Sequence, residues 1–137
     1  MNEATIDWDE SATVVLPEES AEKADMLIAS DAAYARTRVT IQAEKGAKKS
    51  LFQTLRTAGK LHVQTELTAE DGAEIELTQL VAPGENALVY DEVIGHCHGS
   101  GRIVLLQVTL GHGDVYAQTG IGLDGENASF AADIGYL

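Results

Sequence analysis

The chain is short of cysteine, aromatic residues and positive charge, and it has no long apolar run. Its one cysteine, Cys97, excludes an internal disulfide. A chain with no disulfide suits a reducing compartment, so the expected location is the cytoplasm. Aromatic residues make up only 5% of the 137 positions, so a core must be built from Val, Ile, Leu and Ala. No apolar stretch approaches the roughly 18 residues of a membrane span. The start, Met1-Asn2-Glu3-Ala4, lacks the basic region and apolar run of a signal peptide. Nine basic residues stand against 22 acidic ones, a net charge of −13. A single-sign field of that size repels phosphates and anionic lipid, so neither nucleic acid nor a membrane surface is an expected partner. The acidity serves solubility, or it forms a patch for a basic partner.

What the sequence has in quantity is short alternating runs separated by glycine-centred turns. Thr37, Val39, Ile41 and Ala43 alternate with Arg38, Thr40 and Gln42, the two-residue period of a strand. Leu61, Val63, Thr65 and Leu67 repeat the pattern, as do Val115, Ala117, Thr119, Ile121 and Leu123. Gly46, Gly72, Gly101 and Gly125 punctuate the runs at steps of 26, 29 and 24 residues, and Gly84 and Gly113 halve them. A period of about 25 residues holding two strands favours a β-solenoid over a barrel, with one strand of each coil on each of two sheets. One such coil cannot bury its own apolar face and must stack on the next. Residues 34–137 are therefore expected to form an all-β core. Residues 1–33 are expected to form an acidic N-terminal segment. It holds a strand over Ala12-Thr13-Val14-Val15-Leu16, ended by Pro17, and then a short helix, or a loop with one helical turn, because Glu18 to Ser30 is rich in helix formers.

Chemistry is concentrated in His96-Cys97-His98. Imidazole and thiolate suit zinc, iron or copper. On a strand, His96 and His98 share one face and Cys97 takes the other, so one metal bound by all three requires a bend, which Gly95 and Gly99 could supply. His112 is a further donor if the next coil brings it close. The His-x-His pair also raises a small metal-binding β-barrel of cupin type as an alternative, although no acid follows His98 at the spacing that pattern needs. Lys45-Gly46-Ala47-Lys48-Lys49-Ser50 lacks the first glycine of a phosphate-binding loop and reads as a basic turn. Gly120-Ile121-Gly122-Leu123-Asp124-Gly125 opens no helix and also reads as a turn. A carbohydrate-binding solenoid is a third reading, weakened by the scarcity of aromatic residues for sugar stacking.

The order of turns and strands resembles the core of the SufB/SufD family, scaffold subunits of SUF-type iron–sulfur cluster assembly. The stretches that carry it are Arg36-Thr37-Arg38-Val39-Thr40-Ile41 leading to Lys45-Gly46-Ala47, and Leu77-Thr78-Gln79-Leu80-Val81. They continue through Gln107-Val108-Thr109-Leu110-Gly111, Tyr116-Ala117 and Leu123-Asp124-Gly125-Glu126-Asn127-Ala128-Ser129-Phe130 to Asp133-Ile134-Gly135-Tyr136-Leu137. The resemblance implies a right-handed β-helix of two sheets and a non-enzymatic role. It implies a homo-oligomer or a SufB/SufD-type partner, and, in the family, an ABC-type ATPase, SufC, bound through a C-terminal region with no counterpart here. It further implies coils beyond Leu137, so that this core reads as truncated. An iron–sulfur cluster is expected only transiently, in the complete assembly, with none tightly held by this chain. The metal-ligand candidates within the chain are Cys97, His96 and His98. The family's later cysteine has no match, and its role does not pass to Cys97.

Overall fold

The computed structural model describes residues 3–8, 13–15 and 23–136, with side chains placed for most of residues 23–135. The elements in chain order are β1 (Glu3–Trp8), β2 (Thr13–Val15), β3 (Lys23–Ser30), β4 (Tyr34–Ala43), β5 (Lys48–Thr57) and β6 (Lys60–Ala69). They continue with β7 (Glu74–Pro83), β8 (Leu88–His98), β9 (Arg102–Thr109), β10 (Asp114–Asp124) and β11 (Ser129–Tyr136). From β3 onward even and odd strands segregate. One sheet runs β1-β4-β6-β8-β10 and the other β11-β9-β7-β5-β3-β2. From β3 onward every neighbour within a sheet is parallel. The antiparallel strands β1 and β2 lie against β4 and β3 at the beginning of the stack. The chain is a two-sheet β-solenoid of about four turns.

The register shows why the glycine spacing is legible. Tyr34 stands beside Lys60, Lys60 beside Leu88 and Leu88 beside Asp114, steps of 26, 28 and 26 residues. Each strand alternates buried and more exposed positions without a break from β4 to β8. The inward rows of the two sheets meet as one core, in which Ile28, Val39, Leu55, Leu61, Leu67, Ile75, Leu77, Ile103 and Leu105 are fully enclosed. Burying one such side chain contributes about 1.5–3 kcal/mol. The inward rows of β10 and β11 are more open, with Leu123 53% and Ile134 48% exposed, because no further coil lies over them among the described residues.

Corners are held from coil to coil. Gly46 and Gly72 adopt φ of 74° and 72°, a left-handed conformation that a side chain disfavours, and their turns stack. The Gly46 amide donates to the Asp71 carbonyl at 3.1 Å. One turn further, the Ser100 N–H and hydroxyl both donate to Asp71 Oδ1, at 2.8 and 2.9 Å.

Two sequence expectations change. The helix expected within Glu18–Ser30 is a strand over Lys23–Ser30, paired in parallel with β5; residues 18–22 lie outside the described residues. Met26, Ile28 and Ser30 point inward while Asp25 is exposed, so the two-residue period governs despite helix-forming composition. The solenoid therefore takes in residues that the composition assigned to the N-terminal segment. The alternative of a closed barrel of cupin type is overturned, because the two sheets are separate and built from parallel coils.

Candidate functional site

β8 carries His96-Cys97-His98, and its pleat separates them. Cys97 points inward and is fully buried, and its thiol donates to the Ser129 carbonyl at 3.6 Å. Burial pushes this thiol up from its ordinary value, partly offset by a backbone hydrogen bond from Ile103, so at neutral pH it is a protonated, enclosed group. His96 and His98 lie on the outer row, where His98 Nδ1 is 3.5 Å from Asp124 Oδ2 in the next coil. The strand does not bend at Gly95 to bring the three together; β8 is continuous from Leu88 to His98. His112 is in the turn before β10, whose first residue pairs with Leu88, so it stands at the opposite corner, about 30 Å along the strand from His98. Among the described residues no group of three or more His, Cys, Asp and Glu side chains is arranged to hold a metal ion.

The outer face of the even-strand sheet holds a feature that the alternation pattern conceals. Arg36, His62, Tyr90 and Tyr116 fall in one register row. The His62 and Tyr90 rings meet edge to face at 4.9 Å, and Tyr90 and Tyr116 stack at 6.5 Å. Tyr34, Tyr90 and Tyr116 are all exposed, at 54%, 39% and 61%. Tyr34 and Tyr90 border a shallow groove of about 290 Å³ together with Lys60, His62, Leu88 and Glu92. Few aromatics does not mean few on the surface: most of the chain's tyrosines are gathered on this one face. Tyrosines at steps of 26 residues, Tyr90 to Tyr116, are the sequence signal.

Charge is also sorted by coil. Eight of the nine basic residues fall in residues 23–60, with three acids, whereas residues 61–137 hold one basic residue, Arg102, and twelve acids. Because the chain advances one coil at a time, this is a separation of charge along the stack.

Inside, the two sheets share a polar line. Gln53, Gln79 and Gln107 occupy successive inward positions of β5, β7 and β9 and are at most 3% exposed. Gln79 Nε2 donates to Gln53 Oε1 at 2.7 Å, and Gln107 Nε2 to Gln79 Oε1 at 2.9 Å. Across the core, Gln53 Nε2 donates to Thr65 Oγ1 at 3.2 Å, and Gln79 and Gln107 donate to the two carboxylate oxygens of Asp91 at 3.2 and 2.6 Å. Buried polar groups are tolerated only when paired in this way. Burial pushes the Asp91 carboxyl up to about 7 despite the two amide donors.

Residues 26–137 match the family model for the SUF system FeS cluster assembly SufBD core domain, and the chain belongs to that family. Membership places it in SUF iron–sulfur cluster assembly. No curated protein and no solved structure matches the chain. No helix among the described residues is long and apolar enough to cross a membrane.

Proposed function

We propose that this chain is a non-catalytic scaffold module of iron–sulfur cluster assembly, acting through protein–protein contacts with itself or with a SufB/SufD-type partner. The observation that carries the reading is the family match over residues 26–137, which spans the solenoid from β3 to the end of β11. The surface supports it: the Tyr34–Tyr90–Tyr116 face is the kind of aromatic, flat area on which interface energy concentrates. Iron and sulfide are cargo in this role. His96 and His98 are the donors on the outer surface that could touch such cargo in passing, whereas Cys97 would first have to leave the core.

The test is reconstitution. The purified chain is mixed with a SufB/SufD-type subunit and run on size-exclusion chromatography with light scattering, and cluster transfer to an apo iron–sulfur acceptor protein is followed by absorbance. The scaffold reading expects a defined complex, faster or more complete transfer, and no turnover by the chain alone. Monomers at high concentration with no partner complex and no effect on transfer would overturn it.

A further inference from the structure

The assembly role leaves one buried titratable group unused. Asp91 is 1% exposed in the middle of the core, bonded only to glutamine amides. As drawn, the arrangement suits an ionised carboxylate, since each oxygen accepts an N–H. It does not suit a neutral acid, whose single O–H needs an acceptor. The 2.6 Å separation between Asp91 and Gln107 is short for an amide N–H donor and ordinary for an O–H donor.

A glutamine amide can turn half a revolution and exchange its oxygen and nitrogen, which have nearly the same size. If Gln107 turns, its oxygen accepts the Asp91 proton, but it also faces Gln79 Oε1, 2.9 Å away. Gln79 must then turn, which brings its oxygen against Gln53 Oε1 at 2.7 Å, so Gln53 turns as well. The chain of reversals ends harmlessly, because the Thr65 hydroxyl can rotate and donate to the Gln53 oxygen instead of accepting. After reversal the Gln53 and Gln79 amide N–H groups again have acceptors in the column, running in the opposite direction, while the Gln107 nitrogen takes the place of its oxygen and loses both of its present acceptors. Two further contacts become worse. Gln79 oxygen lies 3.2 Å from Asp91 Oδ1, and Met26 Sδ loses the N–H now 3.7 Å from it.

We propose that Asp91 and the Gln53–Gln79–Gln107 column form a proton-operated, two-state ladder, in which uptake of one proton by Asp91 reverses the direction of all three amides. The proton comes from solvent, and no covalent bond changes. The ladder carries the protonation state of β8 across three coils to Thr65 in β6 and Met26 in β3. It goes beyond the scaffold role and does not depend on it.

The surroundings favour a titration governed by Asp91 alone. On β8 its inward neighbours are Val89 and Val93; β6 faces it with Val63 and Thr65, and β10 with Ala117 and Thr119. From the other sheet come Gln53 with Leu51 and Leu55, Gln79 with Leu77 and Val81, and Gln107 with Leu105, while β11 places Ile134 beside Gln107. None of these titrates. The inward titratable groups on the same elements are Lys49, four residues from Gln53 on β5, and Cys97, six residues along β8. The raised carboxyl puts the transition within the neutral range.

Side-chain NMR of the full chain between pH 5 and 9 tests the ladder. The Asp91 carboxyl carbon and the amide groups of Gln53, Gln79 and Gln107 should shift together with one midpoint near neutrality. Asp91→Asn should abolish the pH-linked shift of all three amides. Gln79→Met should leave Gln107 following Asp91 while Gln53 stands still. Either no titration of Asp91 in this range, or its titration with Gln53 unmoved in the wild-type chain, overturns the proposal; the wild-type result decides even if a variant fails to fold.

Discussion

Asp91 sets a pH dependence whose sign follows from its environment. Its carboxyl ionises near the ordinary 3.8 when unfolded and near 7 when folded. Between those values the folded chain holds a proton that the unfolded chain has lost, so stability falls as pH rises from about 4 to 7 and then levels off. The effect is on the order of a few kcal/mol. Urea unfolding of Asp91→Asn should lack this slope, matching the wild type near pH 4 and exceeding it above pH 7. Gln79→Met keeps the volume but leaves Asp91 Oδ1 and Gln53 Oε1 without their donor; at pH 8 it should cost about 1–3 kcal/mol by the same assay. Cys97 makes a third residue-scale statement. Its burial and raised ionisation should slow alkylation by iodoacetamide at least about 100-fold relative to a free thiol, with the full rate recovered in denaturant.

At the scale of elements, the corners and the strands differ in how openly the sequence declares them. Gly46 and Gly72 announce their turns because a positive φ leaves few alternatives to glycine. The strand β3 does not announce itself. Glu22 to Ala29 has the composition of a helix, and pairing with β5 outweighs local propensity, a preference known to yield to tertiary context. The His96-Cys97-His98 alternation is readable as opposite faces of a strand, and the structure has it so. The glutamine column is not readable until the register is known, since three glutamines separated by 26 and 28 residues look unrelated along the chain. A corner prediction belongs here. The Ser100 bonds hold the Asp71 carboxyl below its ordinary range, the backbone N–H contributing most and the hydroxyl next. Ser100→Ala should therefore move the Asp71 titration part of the way back up, as measured by NMR, while the backbone bond retains the rest.

For the whole molecule, the balance of charge matters more than any one pair. A net −13 repels itself, and the twelve acids of residues 61–137 face only Arg102 within their own coils. The measured melting temperature should accordingly rise between about 10 mM and 500 mM NaCl as this repulsion is screened. A charge-neutral variant of the later coils should lose that salt response.

The parallel register also dictates how the molecule would respond to being pulled. Among β3 to β11, strands pair with one another one coil apart and never with the immediate successor in the chain. Tension on the C-terminus would therefore peel β11 from β9 and then β10 from β8, like successive loops leaving a wound spool. Each coil of 26 to 28 residues would release about 90 Å of chain. The force trace would be a staircase with nearly equal treads, and the step at which β9 leaves β7 would report on Gln107 and its hold on Asp91.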